Sequence, residues 1–590
     1  MFGKIIYISD NVAHIEIPEG TPIAENLMNM HVIFEDEKKK ILGEIEDISE
    51  KIIKVGFLGE IVNGRFVGGV IRKPTLSARI RIITKEELAL IIGEDTPGSM
   101  ILGNSPLYDD CQIRVDINDL FSNHMAIFGN TGSGKSCGVA RLLQNVFNNP
   151  NFLPYKSNFF IFDAYGEYHN AFKDINKINP NLHFKYYTTN KTEAGEQKLK
   201  IPLWLLNVDD LALLLGAENV SQLSIIEKAL KFVTIFTKGD EQTIKYKNDV
   251  IARALLEILS SGKPSTQIRD QVLSILTRYN TNELNLETPV FQPGYTRPFR
   301  QCLLIDASGK IRDMELIISF IEGFLTEDYE LTLPDGSFMY TLDDLKDALD
   351  FALISEGSLK SEKVYDDANL LRIRLHSLAN GKEKVFFEYP EFVTKTQYIR
   401  NLLTSANGKK AQIINFSINY VDDRLAKNIV KIYSKLLFDY AKDVSKRNVL
   451  PFHIFLEEAH RYIQEDFDKK ILGYNIFERI SKEGRKYGVL LGLISQRPSE
   501  LSETVVSQCS NFIVFRMVHP RDINYIKDLI PNMSLEWMSK VKYLQPGTSV
   551  AFGTAFNIPV MIKFEMPYPA PESSSCDLSS IWFIDRVQNI

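Results

Sequence analysis

The sequence predicts an α/β protein: a strand–helix core that is preceded by a small antiparallel β-barrel and interrupted by an inserted helical domain. Three observations predict it. Residues 1 to about 85 break into short segments of alternating apolar and polar residues, separated by Gly, Asn or Asp. From residue 111 the chain changes to apolar runs followed by loops and amphipathic helices. Between residues 205 and 400 the apolar spacing is almost entirely helical. The expected boundaries are 1–90 for the barrel, 91–204 and 401–565 for the two parts of the core, 205–400 for the helical insertion and 566–590 for a tail.

The barrel strands are GKIIYISD, VAHIEI, HVIFED, KILGEIEDI, IIKVGFLGEI and FVGGVIRKP, with a loop-rich connector around IIGEDTPGSMILGNSPLYDD. In the core, MAIFG is a strand entering a glycine loop and SCGVARLLQNVF the helix leaving it. NFFIFDAYGEY is a second buried strand with polar residues at its end. IPLWLLN and KAQIINFS read as sheet strands flanking the insertion, whose helices include DDLALLLG, SQLSIIEKALKFVTIF, NDVIARALLEILSSG and ANLLRIRLHSLANG. Alternation resumes with AKNIVKIYSKLLFDYAKD, FHIFLEEAH, SKEGRKYG, VLLGLISQRP, NFIVFRM and TSVAFG, the pattern of a doubly wound sheet. MPYPAPESSSCDL reads as extended tail.

Composition narrows the function classes. A chain of 590 residues exceeds a single core, and a formal net charge of -7 argues against a protein that coats nucleic acid with its whole surface. A local basic channel survives that total, because screening confines surface fields to roughly 10 Å. The cysteines (Cys111, Cys137, Cys302, Cys509, Cys576) contain no CxxC pair, which fits a reducing compartment rather than a zinc ribbon or disulfide framework. Asp10 interrupts any signal-peptide run, and no stretch approaches the ~18 apolar residues of a membrane span. The expectation is a cytoplasmic protein with no membrane association.

The strongest motif is Gly129-Asn130-Thr131-Gly132-Ser133-Gly134-Lys135-Ser136, which satisfies G-x-x-x-x-G-K-[ST]. Its glycines let backbone N–H groups turn inward around phosphate oxygens at a helix N-terminus. Lys135 is placed to reach the β- and γ-phosphates of ATP, and Ser136 to hold Mg2+. FHIFLEEAH ends an apolar strand in Glu457 and Glu458. At the carboxyl edge of a parallel sheet, Glu457 suits metal binding through water and Glu458 suits orienting and deprotonating the attacking water. The structural alternative is a helix N-terminus rich in Glu. Most such sites place Asp first, and Glu457 is one methylene longer.

Three weaker signals accompany these. VLLGLISQRP places Ser495 and Gln496 where a γ-phosphate sensor belongs, or simply ends a strand in polar residues. SKEGRKYG presents Arg485 in a Gly-flanked turn, able to reach a neighbouring subunit's γ-phosphate or else to complement a helix dipole. IFDAYGEY places Asp163, Glu167 and Tyr168 after a buried strand, where an acid can polarise water or cap a turn. Arg372, Arg374, Lys409 and Lys410 are candidate DNA contacts, with exposed surface basics as the commoner explanation.

In their combination and order these segments resemble the HerA branch of the FtsK–HerA superfamily of hexameric DNA-pumping ATPases. The resemblance spans roughly residues 1 to 565, and its specific part is the D-x-x-GEY turn together with GRKYG and SQRPSEL. It implies a RecA-like P-loop ATPase core and a homohexamer with ATP bound between protomers. Lys135 and Ser136 would be the Walker A pair, Glu457 and Glu458 the Walker B acids, Gln496 the sensor and Arg485 an arginine finger acting in trans; Asp163 and Glu167 match the family's acidic turn. The barrel would dock a partner nuclease or sirtuin-like effector, in antiviral defence or DNA end processing, and the substrate track would be double-stranded DNA. No D-x(n)-E-x-K nuclease pattern occurs in this chain. A second reading makes the ring an ATP-dependent scaffold that activates its effector with little pumping. A DEAH-type helicase of another superfamily would carry Q-R-x-G-R-x-G-R where SQRP stands.

Overall fold

The computed structural model describes residues 2–18, 27–36, 39–148, 153–190, 197–237, 239–326, 333–357, 362–444, 450–464, 468–529, 539–573 and 578–582. Cys576, with residues 574–577 and 583–590 of the expected tail, lies outside them. The chain divides into two compact units: residues 1–197, 399–465 and 476–590 form the first, and residues 198–398 with 466–475 the second.

The first unit begins with an antiparallel sheet of β1 (Ile5–Ile8), β2 (Val12–Glu16), β3 (His31–Asp36), β4 (Lys39–Ile48), β5 (Ile52–Val62), β6 (Arg65–Gly68) and β7 (Arg79–Ile82). The order is β1-β2-β5-β4-β3-β7, with β6 on β5. Alternation sets its faces: Ala13 and Ile15 are buried and pair with Val55 and Ile53, and they join Val32, Phe34, Ile41 and Ile45 in one core. Among the described residues no ladder joins β7 to β1, so the pairings describe a sheet and not the closed ring expected of a barrel. Strand β7 was not anticipated, because RIRI carries arginines at alternate positions. Its Arg81 is held by Glu35 at 2.6 Å and Glu87 at 2.7 Å, which makes a charged strand affordable.

Helix α1 (Lys85–Ile92) follows, entered through a capping box in which Thr84 and Glu87 satisfy each other's backbone N–H, and a short helix α2 (Ile117–Phe121) comes after it. The remaining strands are β8 (Ser99–Asn104), β9 (Gln112–Asp116), β10 (His124–Phe128), β11 (Phe159–Asp163), β12 (Phe184–Thr188), β13 (Gln197–Lys198), the hairpin β14 (Pro289–Gln292) and β15 (Tyr295–Pro298), β16 (Ile413–Ser417), β17 (Phe452–Leu456), β18 (Val489–Ser495), β19 (Cys509–Phe515), β20 (Thr548–Gly553) and β21 (Val560–Lys563). The large sheet runs β13-β12-β16-β11-β17-β18-β10-β19-β20-β21-β8-β9. From β12 to β19 the pairs are parallel, and beyond β19 they are antiparallel.

Strands β10, β11, β16, β17 and β18 are buried at every position, which is why they read as unbroken apolar runs. Parallel pairing brings their carboxyl ends to one edge: Phe128 lies level with Ser495, and Asp163 with Ser417. The segments that follow those ends build the site.

The second unit is helical apart from β14–β15, with helices that include Val208–Leu215, Val220–Thr237, Glu241–Leu259 and Ser265–Arg278. Phe351 anchors it against Tyr279 at 5.1 Å and Phe232 at 5.3 Å between ring centroids. IPLWLLN is a correction to the expected sheet strand: Leu203–Leu205 form a 3-10 turn. Pro202 has no N–H to give a ladder, and the Trp204 indole instead donates to Val393 O at 2.8 Å. The tail also departs from expectation, because Leu578–Trp582 are helical. Among the described residues no helix is long and apolar enough to cross a membrane.

Candidate functional site

The glycine loop joins β10 to helix α3 (Lys135–Phe147) at the carboxyl edge of the sheet. Gly134 is the residue before α3 and has a left-handed backbone (φ 87°), and no side chain caps the helix. The first-turn N–H groups of α3 are therefore open to an anion, with no acidic side chain in that turn to compete. A Cβ on Gly134 would stand 2.5 Å from Gly547 N, and that Gly547 N–H donates to Ser133 O at 2.9 Å. The segment before β20 thus pins the loop from outside. Ser133 is fully buried, and its Oγ has no hydrogen-bond partner. A phosphate oxygen is the kind of acceptor that this orphaned hydroxyl and the open amides fit.

Opposite the loop, the strand order places β18 between β10 and β17, so that Gln496 stands between the loop and the paired acids. Gln496 Oε1 accepts from Thr131 Oγ1 at 2.6 Å, and Gln496 Nε2 donates to Glu458 Oε1 at 2.6 Å. Lys135 Nζ lies 3.4 Å from the same Glu458 oxygen, both side chains being almost fully buried. Glu458 takes a left-handed backbone (φ 51°), rare for a residue with a Cβ and costing about 1–3 kcal/mol. That conformation ends β17 abruptly and leads into the 3-10 turn Ala459–Arg461. It separates the two acids: Glu458 faces Lys135, while Glu457 Oε2 accepts the Ala164 N–H at 3.1 Å beside Asp163. The extra methylene of Glu457 carries its carboxyl across to the end of β11.

Asp163 is fully buried and saturated. Its Oδ1 accepts the N–H groups of Gly166 at 2.7 Å and Glu167 at 3.0 Å, and its Oδ2 accepts Tyr168 N–H at 2.8 Å and Asn415 Nδ2 at 3.1 Å. The acidic turn is folded around this one carboxylate, with Gly166 supplying the positive φ that the turn needs (77°). Burial first, and Asp163 second, push the Glu457 carboxyl well above the usual carboxylate range. Burial also raises Glu167, with Ser136 pulling it back, and Glu167 Oε2 has no hydrogen-bond partner.

One buried lysine therefore faces Glu458, Glu457, Asp163 and Glu167. Several buried carboxyls beside a single lysine are oxygen donors of the kind that suits a divalent cation. Ser136 and Glu457 would hold Mg2+, which when bound neutralises phosphate charge and draws Glu457 to its ionised form. The chain's own residues do the rest. Lys135 and the open loop amides are placed to receive an anion, Asp163 shapes the turn that carries Glu167, and Glu458 Oε1 lies between Lys135 and Gln496.

Arg485 is not brought to this cluster. It does not lie in a turn, as expected, but in the last turn of the helix Ile476–Tyr487, which continues through Gly484 and stops at Gly488 (φ 78°). Gly484 packs on Val489 O, too close for a side chain. Arg485 is exposed near His124, the first residue of β10, whereas the loop leaves from the last. The length of β18 separates it from Gln496.

The candidate DNA contacts are partly engaged elsewhere. Arg372 Nε pairs with buried Asp350 at 2.8 Å, and Arg374 binds the carbonyls of Leu215 and Gly216 at the end of the helix Val208–Leu215. Lys410 Nζ donates to Ser157 O at 2.5 Å, and burial lowers its pKa to about 8. Lys409 is exposed. Reading the sequence missed Asn415, Gly547 and Phe515, whose side chain lies against Gly129 and Gly138. None carries a local signal, because each enters from a strand distant in sequence.

A family model described as the helicase HerA central domain matches residues 100–294. The DNA double-strand break repair helicase HerA of Pyrococcus furiosus is 22% identical over 536 residues, covering 90% of this chain and 79% of that protein. Its namesake from Saccharolobus solfataricus is 23% identical over 489 residues, covering 82% and 71%. Among solved structures, the bacterial conjugative coupling protein TrwB aligns with a TM-score of 0.41 at 13% identity, over 82% of this chain and 92% of that one. Glycine loop, paired acids and the match to these relatives converge on one conclusion: the chain is a P-loop ATPase similar to the HerA helicases.

Proposed function

We propose that the protein is an ATP-driven DNA translocase or helicase that works as a homohexameric ring on double-stranded DNA. The observation that carries this reading is the split of its catalytic set. Each chain offers a phosphate loop with Lys135, Glu458 and Gln496 at one edge of the sheet, and an exposed Arg485 at the start of β10 and β18. Arg485 stands at the opposite end of β18 from its own chain's loop, a placement that suits action on a neighbouring copy. Closed cyclic association then places one nucleotide at each interface. The relatives named as DNA double-strand break repair helicases support DNA as the track.

In this reading Lys135 and Ser136 bind Mg2+-ATP, Glu457 holds the metal through water, Glu458 activates the attacking water and Gln496 senses the γ-phosphate. A partner nuclease or sirtuin-like effector docks on the N-terminal sheet, where Val62, Val67, Ile71 and Leu76 are exposed, Ile71 at 95%. DNA-dependent ATP hydrolysis by the purified ring, with strand displacement in the presence of its partner, is the expected result. Hydrolysis that ignores DNA, with no displacement under any pairing, would refute it.

Glu457 favours a second reading. Its carboxyl is turned to Asp163 and raised by burial, which suits slow turnover in a ring that chiefly holds an effector. Lys135→Ala separates the two: a scaffold keeps effector activation without ATPase, and a motor loses both.

A further inference from the structure

Glu458 has two carboxylate oxygens, and they are held from different sides. Oε1 meets Gln496 Nε2 at 2.6 Å and Lys135 Nζ at 3.4 Å. Both are groups that a bound nucleotide recruits, the lysine to phosphate and the glutamine to the γ-phosphate or its water. Oε2 lies 3.2 Å from His460 Nδ1, which faces no part of the glycine loop in any described contact. The same Nδ1 stands 3.1 Å from Ser495 Oγ, the last residue of β18, and Ser495 Oγ also accepts the Arg497 N–H at 3.0 Å. The 3-10 turn after Glu458 folds the imidazole back over the carboxylate, leaving the ring 17% exposed. Burial lowers the pKa of the ring, and Glu458 pulls it back upward. Nδ1 thus stands between the ends of β17 and β18, hydrogen-bonded to Ser495 and within ion-pair distance of Glu458.

We propose that His460 is a positioning residue for ATP hydrolysis, its imidazole, tied to Ser495 and 3.2 Å from Oε2 of Glu458, backing the carboxylate so that it keeps its aim when nucleotide draws Lys135 and Gln496 to phosphate. The inference rests on Glu458 as the base that activates water. With the nucleotide in place, His460 is a contact of the Glu458 carboxylate that the reaction does not reassign. Losing it frees the side chain to rotate about its left-handed backbone, which costs turnover and leaves nucleotide binding intact.

The test uses the full-length protein as His460→Ala, His460→Asn, Glu458→Gln and the Glu458→Gln/His460→Ala pair. The readouts are kcat and KM for ATP and the Kd of a fluorescent ATP analogue. His460→Ala is expected to lower kcat about 10- to 100-fold with KM and Kd within about threefold, since only transition-state positioning is lost. Asparagine sets its Nδ2 near the place of Nδ1 and is expected to recover turnover to within about fivefold. On the Glu458→Gln background His460→Ala is expected to change the residual rate less than about twofold, because it acts through Glu458. Should His460→Ala fail to fold, His460→Phe keeps the ring without the donor and replaces it. A kcat for His460→Ala within twofold of the parent, an asparagine variant as impaired as alanine, or a full additional loss on the Glu458→Gln background would each overturn the proposal. If Glu458→Gln itself keeps turnover, the reading of Glu458 fails; if it abolishes turnover while His460→Ala does not, only the role of His460 fails.

Discussion

Replacing Asp163 tests whether the acidic turn is chemistry or architecture. In Asp163→Ala, the N–H groups of Gly166, Glu167 and Tyr168 and Nδ2 of Asn415 lose their acceptor together. Hydrogen bonds to a charged group contribute about 1.5–3 kcal/mol each, so the loss is on the order of 6 kcal/mol before relief. Removing the charge also relieves Glu457, which Asp163 pushes upward, and that offsets about 1–2 kcal/mol. The net cost is about 4–5 kcal/mol, concentrated in residues 163–168. Asp163→Asn is the informative companion. Its remaining oxygen can serve Gly166 and Glu167, and Asn415 can turn its amide, because Asn415 Oδ1 has no partner to lose. Only the Tyr168 N–H is then orphaned, a cost of about 1–3 kcal/mol. Hydrogen exchange at the amides of residues 166–168 reads this directly. Acceleration of about a thousandfold is expected in the alanine variant and about tenfold in the asparagine variant, with ATPase surviving in the latter. An asparagine variant with a protected turn but no ATPase would refute the architectural role and make Asp163 a chemical participant.

Three further outcomes follow from the geometry. Gly134→Ala strains a left-handed position by about 1–2 kcal/mol and drives a methyl against Gly547 N at 2.5 Å, so affinity for a fluorescent ATP analogue should fall at least tenfold; a change under threefold counts against the loop geometry. Lys135→Ala and Arg485→Ala should each be inactive alone. Mixed, they should regain part of the ATPase, because some interfaces pair an intact loop with an intact arginine; no recovery in a demonstrably mixed ring would remove Arg485 from the site. Burial lowers His31, His124 and His453 to about 4, below the ~6.5 of an unfolded histidine. The unfolded chain therefore binds their protons first: this stability is fully present above pH 6.5 and lost as pH falls toward 4. Each contributes about 3 kcal/mol, visible as a falling Tm between pH 6.5 and 4.5, and His453→Leu should flatten the slope by about one proton.

Residues 129–136 could be read without a structure because a phosphate grip is made by contiguous backbone. Glycines at fixed offsets, a lysine and a hydroxyl at the start of a helix state the chemistry locally. The strands were legible for a similar reason: burial on both faces makes β10, β11, β16, β17 and β18 unbroken apolar runs. Where reading failed, tertiary context overrode local pattern. IPLWLLN is apolar enough for a strand, yet Pro202 and the Trp204–Val393 contact make it a turn. GRKYG looks like a turn, yet the helix runs on through Gly484 because Val489 packs against it.

The division of labour among the acids was beyond any local signal. Glu457 and Glu458 are adjacent and identical in the sequence, and a left-handed backbone at Glu458 sends one to Asp163 and the other to Lys135. His460 became relevant only because β18 lies beside β17. The sequence by itself determined that this protein grips phosphate and carries acids to use against it, since those are properties of short segments. Which acid faces Lys135 and why Arg485 lies away from its own chain's loop were decided by strand order, because only the pairing of distant strands sets which ends meet at one edge.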